Sequence, residues 1–122
     1  MKKIVCYKLR QEDFVKVKQK SENYKQFLLC EEKSLEKLLK YKRDTIACLF
    51  VFIDESVSLS ALEEILKMHT EMPINIILKY KDFDALMICY KYQVSSIVEA
   101  HLTEQVVENA MIKADLIDKR VV

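Results

Sequence analysis

The 122-residue sequence predicts one α/β domain, a five-stranded parallel sheet with helices on both faces. Two observations carry this prediction. Strand-like and helix-like segments alternate along the whole chain, and the strongest strand segments are continuous apolar runs, as in strands covered on both faces. The length suits a single domain with one core. We predict the domain at residues 1–117, with residues 118–122 as a tail or the start of a linker.

Five short segments rich in apolar and β-branched residues predict the strands. The third reads TIACLFVFI and stops abruptly at Asp54. Pro73, the only proline, stands directly before the fourth strand, where no interior ladder hydrogen bond is lost. The predicted strands cover residues 3–7, 26–30, 45–53, 74–78 and 94–98.

The segments between the strands carry apolar residues at helical spacing. Ser60 and Glu63 match a capping box, which predicts that helix three begins near Ser60. Asp82 is positioned to cap helix four. Helices one and two are predicted over residues 11–22 and 32–42. The other three follow from apolar stripes: Leu59, Leu62, Ile65 and Leu66; Phe83, Leu86, Met87 and Tyr90; and Leu102, Val106, Val107, Ala110, Met111 and Ala114.

The absence of glycine excludes two kinds of site. Phosphate-binding P-loops and dinucleotide fingerprints need glycine for close backbone approach, and this chain has none. Left-handed helix caps must therefore use other residues. The 20 basic and 19 acidic residues leave a net charge of +1, which argues against nucleic-acid binding. Glu12, Asp13 and Glu22 interleave with the lysines of helix one, which predicts a solvated face.

The cysteines and histidines form no metal-ligand pattern, so we predict no metal and no cofactor. His69 and His101 stand alone and are predicted in loops or at the surface. No apolar stretch suits a signal peptide or a membrane span, which favours the cytoplasm. The cysteines are predicted to be reduced, buried side chains: Cys6, Cys30, Cys48 and Cys89.

The element order, with Asp54 ending the third strand before a helix, Pro73 and the fourth strand, resembles the receiver domain of response regulators. The resemblance spans nearly the whole chain. It implies a flavodoxin-like fold with strand order 2-1-3-4-5. Helices one and five would cover one face of the sheet, and helices two to four the other.

The positions that carry receiver chemistry are mostly changed. In that family the third-strand Asp accepts a phosphoryl group, which makes Asp54 the phosphoacceptor position. Lys8 and Leu9 stand where an acidic pair would help hold Mg²⁺. Leu78 stands where a hydroxyl would end strand four, and residues 99–101 replace a Thr or Ser, Lys and Pro. The resemblance therefore implies a degenerate receiver.

We accordingly predict a signalling module that binds proteins and is not an enzyme. Lys8 or Lys79 is expected to compensate the charge of Asp54. The partner would be another protein or a second copy of the chain, and the module would bind neither nucleic acid nor a membrane. In one version of this prediction, the module is the regulatory part of a longer protein. The contacts would use helix four, strand five and helix five, with Met87, Tyr90, Tyr92 and Met111 as candidates.

The tyrosines near helix four differ in their expected exposure. Tyr90 shares the apolar side of helix four, which favours burial, whereas Tyr80 and Tyr92 are expected at the surface. The prediction for the interaction surface is therefore limited: at least one of Tyr90, Tyr92 and Met87 is substantially exposed.

Two other functions stay open. One is an atypical receiver still phosphorylated on Asp54, and the other is a phosphocarrier or enzyme of flavodoxin-like fold. Cys6 resembles the phosphocysteine of sugar-phosphotransferase IIB domains. The loop after that cysteine is small and contains glycine in those domains, whereas residues 7–10 here are bulky.

Overall fold

The computed structural model describes residues 1–120 of the chain. Its sheet has five parallel strands in the order β2-β1-β3-β4-β5, which confirms the predicted fold. The strands are β1 Lys2–Tyr7, β2 Phe27–Glu32, β3 Ile46–Ile53, β4 Ile74–Leu78 and β5 Ser96–Glu99. The helices are α1 Gln11–Ser21, α2 Leu35–Lys40, α3 Leu59–Leu66, α4 Phe83–Lys91 and α5 Glu104–Arg120.

The central strand β3 is buried along its whole length because helices cover both of its faces. On one face, α2, α3 and α4 pack through Leu38, Leu62, Ile65, Leu66, Ala85 and Cys89. On the other, α1 and α5 pack through Val17, Val107, Ala110, Met111 and Ala114. Each large apolar side chain buried in this way stabilises the fold by about 2 kcal/mol. The predicted division of the helices is confirmed.

Helix α3 begins at Leu59, and its capping residue differs from the predicted one. Its N-cap is Ser58, whose hydroxyl accepts a hydrogen bond from the Ala61 amide at 3.0 Å. The start predicted near Ser60 is thus confirmed to within two residues, but the capping box is wrong, because Ser60 already lies inside the first turn. Asp82 does cap α4 as predicted, and its Oδ1 accepts from the amides of Asp84 and Ala85 at 2.9 and 3.2 Å.

Helix α2 is much shorter than the predicted range of residues 32–42. Strand β2 continues to Glu32, and the Glu32 carboxylate accepts hydrogen bonds from the Lys33 and Ser34 amides. These bonds turn the chain before the helix begins. Ser34 then caps α2 by accepting from the Lys37 amide at 3.3 Å, so only Leu35–Lys40 is helical.

Three residues take the left-handed conformations that glycine usually supplies. Lys8 follows β1 with φ 57°, Gln93 follows α4 with φ 54°, and Ala100 follows β5 with φ 66°. For a residue with a Cβ atom this conformation costs about 1 kcal/mol or more. Gln93 stands where a C-terminal cap glycine is common.

The end of the described chain is helical. Residues 118–120, predicted as tail or linker, form the last turn of α5, and residues 121–122 of that prediction lie outside the described residues. The domain boundary itself stays a prediction. Within residues 1–120, no helix combines the length and apolar character that crossing a membrane requires.

Candidate functional site at the carboxyl edge of the sheet

In sheets of this topology ligands bind outside the carboxyl ends of the strands where the strand order reverses, which here are β1 and β3. The strand order reverses between these two strands, and Tyr7 of β1 pairs in register with Val51 of β3. Lys8 follows β1 directly and Asp54 follows β3 directly. The structure thus places both residues at this edge, as the sequence predicts.

Asp54 is held by its own loop. Its Oδ1 accepts hydrogen bonds from the Ser56 amide at 2.9 Å and from the Ser56 hydroxyl at 2.5 Å. The Ser56 hydroxyl is the largest cause that lowers the pKa of Asp54 below its ordinary value, and the charges of Lys79 and Lys8 lower it further. Partial burial opposes this shift without reversing it.

Neither predicted lysine forms a direct ion pair with Asp54. Lys8 Nζ donates to the Ser56 hydroxyl at 3.5 Å, and Lys79 Nζ pairs with Glu55 at 3.6 Å. Both lysines therefore act on Asp54 through the field of their charges. Asp54, Ser56 and the two lysines make a small anion–cation cluster at the sheet edge.

Arg10 is a third cation at this edge, after Lys8 and Lys79, and the sequence did not indicate its role. Its guanidinium carbon lies 4.4 Å from the ring centroid of Phe52, and Nη2 is 2.9 Å from Asp13 Oδ2. The same Nη2 donates to the Ala100 carbonyl. Arg10 thus joins the start of α1 to the end of β3 and to the loop after β5.

Asp13 completes this connection. The prediction of a solvated face on helix one is wrong at this residue. Asp13 is fully buried, and its Oδ1 accepts from the Leu102 amide at 3.0 Å. Lys16 Nζ adds a hydrogen bond to the Leu102 carbonyl at 2.7 Å. The spacing of Arg10 and Asp13, three residues apart across the first turn, is the only sequence signal that could have indicated the pair.

Large exposed apolar side chains lie along α4 and, at Tyr80, in the loop before it. Tyr80, Phe83, Met87 and Tyr90 are 61%, 73%, 69% and 68% exposed, and we call these four residues the α4 surface. The expected burial of Tyr90 is therefore wrong. The inward side of α4 is made by Ala85 and Cys89, whose small side chains let the helix lie close to the sheet.

Two other candidates for this surface have different positions. Tyr92 is half-buried and packs against the core, with its ring 5.6 Å from that of His69 in an edge-on arrangement. Met111 is fully buried. The prediction that Met111 lies at the interaction surface is wrong, because Met111 is on the side of α5 that packs against the sheet.

The cysteines are free thiols, three of them buried. Burial raises the pKa of Cys6 well above its ordinary value, and it raises the pKa of Cys48 to about 12 and that of Cys89 to about 11. A thiol with a raised pKa is a poor nucleophile near neutral pH. Cys30 differs from the expectation of burial in being half-buried.

Neither histidine joins a catalytic group. His69 Nδ1 lies 3.1 Å from the Leu66 carbonyl, and His101 Nδ1 lies 3.6 Å from the Glu12 carboxylate. Over residues 1–120, no three His, Cys, Asp or Glu side chains are grouped so that they could hold a metal ion.

Comparison with known proteins gives a likeness of fold. No family model and no curated protein matches the chain. A response regulator receiver protein from Pseudoalteromonas atlantica superposes with a TM-score of 0.72 at 10% identity, covering 93% of this chain and 97% of that one. A CheY-like receiver domain from Methanospirillum hungatei JF-1 gives 0.70 at 13% identity, covering 98% of each chain.

A receiver domain from Clostridium thermocellum gives a TM-score of 0.67 at 15% identity, with both chains covered completely. Identities this low speak for the fold alone. The chain therefore has the fold of response-regulator receiver domains over essentially its whole length.

Proposed function

We propose that this chain is a receiver-fold signalling module that acts through protein contacts, without aspartyl phosphorylation and without enzymatic activity. The observation that carries the proposal is the charge around Asp54. The charges of Lys8 and Lys79 act on the Ser56-bonded carboxylate, and Arg10 lies at the same edge of the sheet.

These residues do not suit Mg²⁺, the ion that receiver phosphorylation requires. Mg²⁺ takes oxygen ligands in a near-octahedral shell and neutralises phosphoryl oxygens during transfer. Here Asp54 Oδ1 already accepts two hydrogen bonds from Ser56, and the residue after β1 is the cation Lys8. We therefore assign no phosphoryl-transfer step to this site.

The alternative of a phosphocarrier receives less support. A phosphocysteine needs a thiolate that can reach its donor, whereas Cys6 is buried with a raised pKa. The bulky residues after Cys6 begin with Tyr7, which is itself buried.

The proposed contact uses the α4 surface, and its proposed occupant is a second copy of the chain. Phe83, Met87 and Tyr90 follow one another at spacings of four and three residues along the outer side of α4. This spacing lines up a seam for another helix. Large exposed apolar patches of this kind mark interaction sites.

The charges beside the seam favour an antiparallel pair related by a two-fold axis. Asp84 and Lys91 lie on the same flank of the seam, seven residues or about 10 Å apart. In an antiparallel pair, Asp84 of one copy faces Lys91 of the other, and the contact occurs twice. A parallel pair would put them on opposite sides of the interface, unpaired.

The area available is sufficient for a stable dimer. A large aromatic side chain can bury about 150 Å² or more, and each copy brings three aromatic residues and a methionine. Two copies thus reach the total of about 1,000 Å² that a specific interface needs. We propose neither nucleic acid nor a membrane as a partner, in keeping with the net charge of +1.

Sedimentation equilibrium over a range of concentrations tests this proposal. We expect a reversible dimer whose dissociation constant rises at least about tenfold in the double variant Met87→Ser, Tyr90→Ser. The matched control is Ile112→Ser, Leu116→Ser, which removes two exposed apolar side chains of α5. The control should leave dimerisation unchanged.

Charge reversal tests the antiparallel arrangement. Asp84→Lys should weaken the dimer, and adding Lys91→Asp should restore it. A strict monomer at all concentrations would contradict the dimer, as would a dimer that the α4 variants and the α5 control weaken equally.

A further inference from the structure

The shortness of α2 leaves a groove on the sheet face beside the edge strand β2. A helix of six residues is about 9 Å long and covers only part of that strand. Leu28, on the strand, is 49% exposed. The groove has a volume of about 450 Å³ and is lined by Lys3, Glu32, Lys37, Lys40, Tyr41, Lys42 and Thr45.

The groove is strongly positive, although the whole chain is nearly neutral. Four of its seven lining residues are lysines and one is acidic. The adjoining residues 33–43 contain five basic residues and one acidic residue, against a net charge of +1 for the chain. A charge excess concentrated in a concavity attracts ions of the opposite sign.

The carboxylate in the groove is already used. Glu32 Oε2 accepts from the amides of Lys33 and Ser34 at 2.9 and 3.0 Å, and Oε1 accepts from the Tyr41 hydroxyl at 3.4 Å. These bonds fix the carboxylate in the turn before α2. Glu32 thus leaves most of the lysine charge uncompensated.

The lysines themselves have few anionic partners. Lys3 lies over the ring of Tyr41, 5.2 Å from its centroid, and Lys40 forms an exposed pair with Glu36 at 3.0 Å. Lys37 and Lys42 are exposed and make no ion pair within the described chain of residues 1–120. Three ammonium groups consequently face one small volume without a carboxylate partner.

We propose that this groove binds a compact anion carrying two or three linked phosphate groups, either free or attached to a nucleoside. Lysine ammonium groups bind phosphate as point charges and need no glycine loop. A volume of about 450 Å³ lies within the range of small-molecule sites.

An extended acidic peptide fits the groove less well. Side chains on one face of a strand are about 7 Å apart, so such a peptide brings few charges into one small concavity. Linked phosphates bring several. The groove lies at the β2 edge of the sheet and the α4 surface lies toward the other edge, so this proposal is independent of dimerisation.

An NMR titration of the ¹⁵N-labelled chain with sodium tripolyphosphate tests the proposal. We expect saturable shifts centred on the amides of Tyr41, Lys42 and Thr45, with an affinity that falls as salt is raised. Lys37→Gln, Lys42→Gln should weaken binding at least about tenfold. The control Lys18→Gln, Lys25→Gln makes the same change of net charge at exposed lysines outside the groove and should have little effect.

Two further ligands complete the test. Adenosine triphosphate without metal distinguishes free phosphates from a nucleotide. An affinity equal to that of tripolyphosphate indicates a site for the phosphates alone, whereas tighter binding of adenosine triphosphate indicates a nucleotide site. Three results would overturn the proposal: no localised shifts at millimolar tripolyphosphate, equal weakening by both lysine pairs, or preferential binding of an oligo-aspartate peptide.

Discussion

Arg10 and Phe52 meet at the carboxyl edge of the sheet, with the guanidinium carbon 4.4 Å from the centroid of the ring. Phe52 lies two residues before Asp54 on the central strand. A cation therefore stands at the same edge of the sheet as Asp54. The same side chain reaches Asp13 and Ala100, so this edge is held together by a charge network.

The first prediction concerns the stability that this network provides. Arg10→Ala should lower the free energy of unfolding by about 2 kcal/mol or more, because it leaves the buried Asp13 carboxylate without its cation. Chemical denaturation measures the loss. Lys40→Ala, which removes the exposed pair with Glu36, should cost less than about 0.5 kcal/mol. Equal losses in the two variants would contradict the role assigned to Arg10.

The second prediction concerns the pKa of Asp54. Ser56→Ala removes the hydroxyl that lowers it most, so the pKa should rise toward its ordinary value of about 3.9. The pKa of Asp54 is lower in the folded chain than in the unfolded chain, so the charged carboxylate stabilises the fold. This stabilisation is fully present at pH values above the unfolded pKa, and it is lost as the pH falls through the folded pKa. The pH dependence of the Asp54 carboxyl ¹³C shift, followed by NMR in the original chain and in the variant, gives the two pKa values. An unchanged pKa in the variant would refute the role assigned to the Ser56 hydroxyl.

The third prediction concerns the start of α3. Ser58→Ala should destabilise the domain by about 1 kcal/mol, since the Ala61 amide loses its acceptor. Ser60→Ala should change stability by less than about 0.5 kcal/mol. Thermal unfolding of the two variants compares their losses of stability directly. A larger loss in Ser60→Ala than in Ser58→Ala would indicate that Ser60 is the cap.

The sequence was sufficient for the fold because its signals there are local. The continuous apolar run of β3 and the alternation of elements leave few topologies open. Asp82 could likewise be identified, since a cap acts within three residues. The two serines of α3 show the limit, because Ser58 and Ser60 differ by only two positions and the side-chain geometry decides between them.

The site could be predicted only in part, because its contacts are distant in sequence. Asp13 bonds to Leu102, 89 residues away, and no periodicity connects them. The orientation of α4 was missed for another reason. Large side chains such as Tyr90 dominate an apolar pattern, whereas the close approach to the sheet is made by Ala85 and Cys89.

An NMR titration with Mg²⁺ and beryllofluoride, a mimic of the phosphoryl group, tests whether Asp54 can be phosphorylated. We expect no saturable shifts at Asp54, Ser56 or Lys8, because the donor set does not suit the ion. Saturable shifts at these residues that Asp54→Asn abolishes would contradict this expectation and would establish a phosphorylatable receiver.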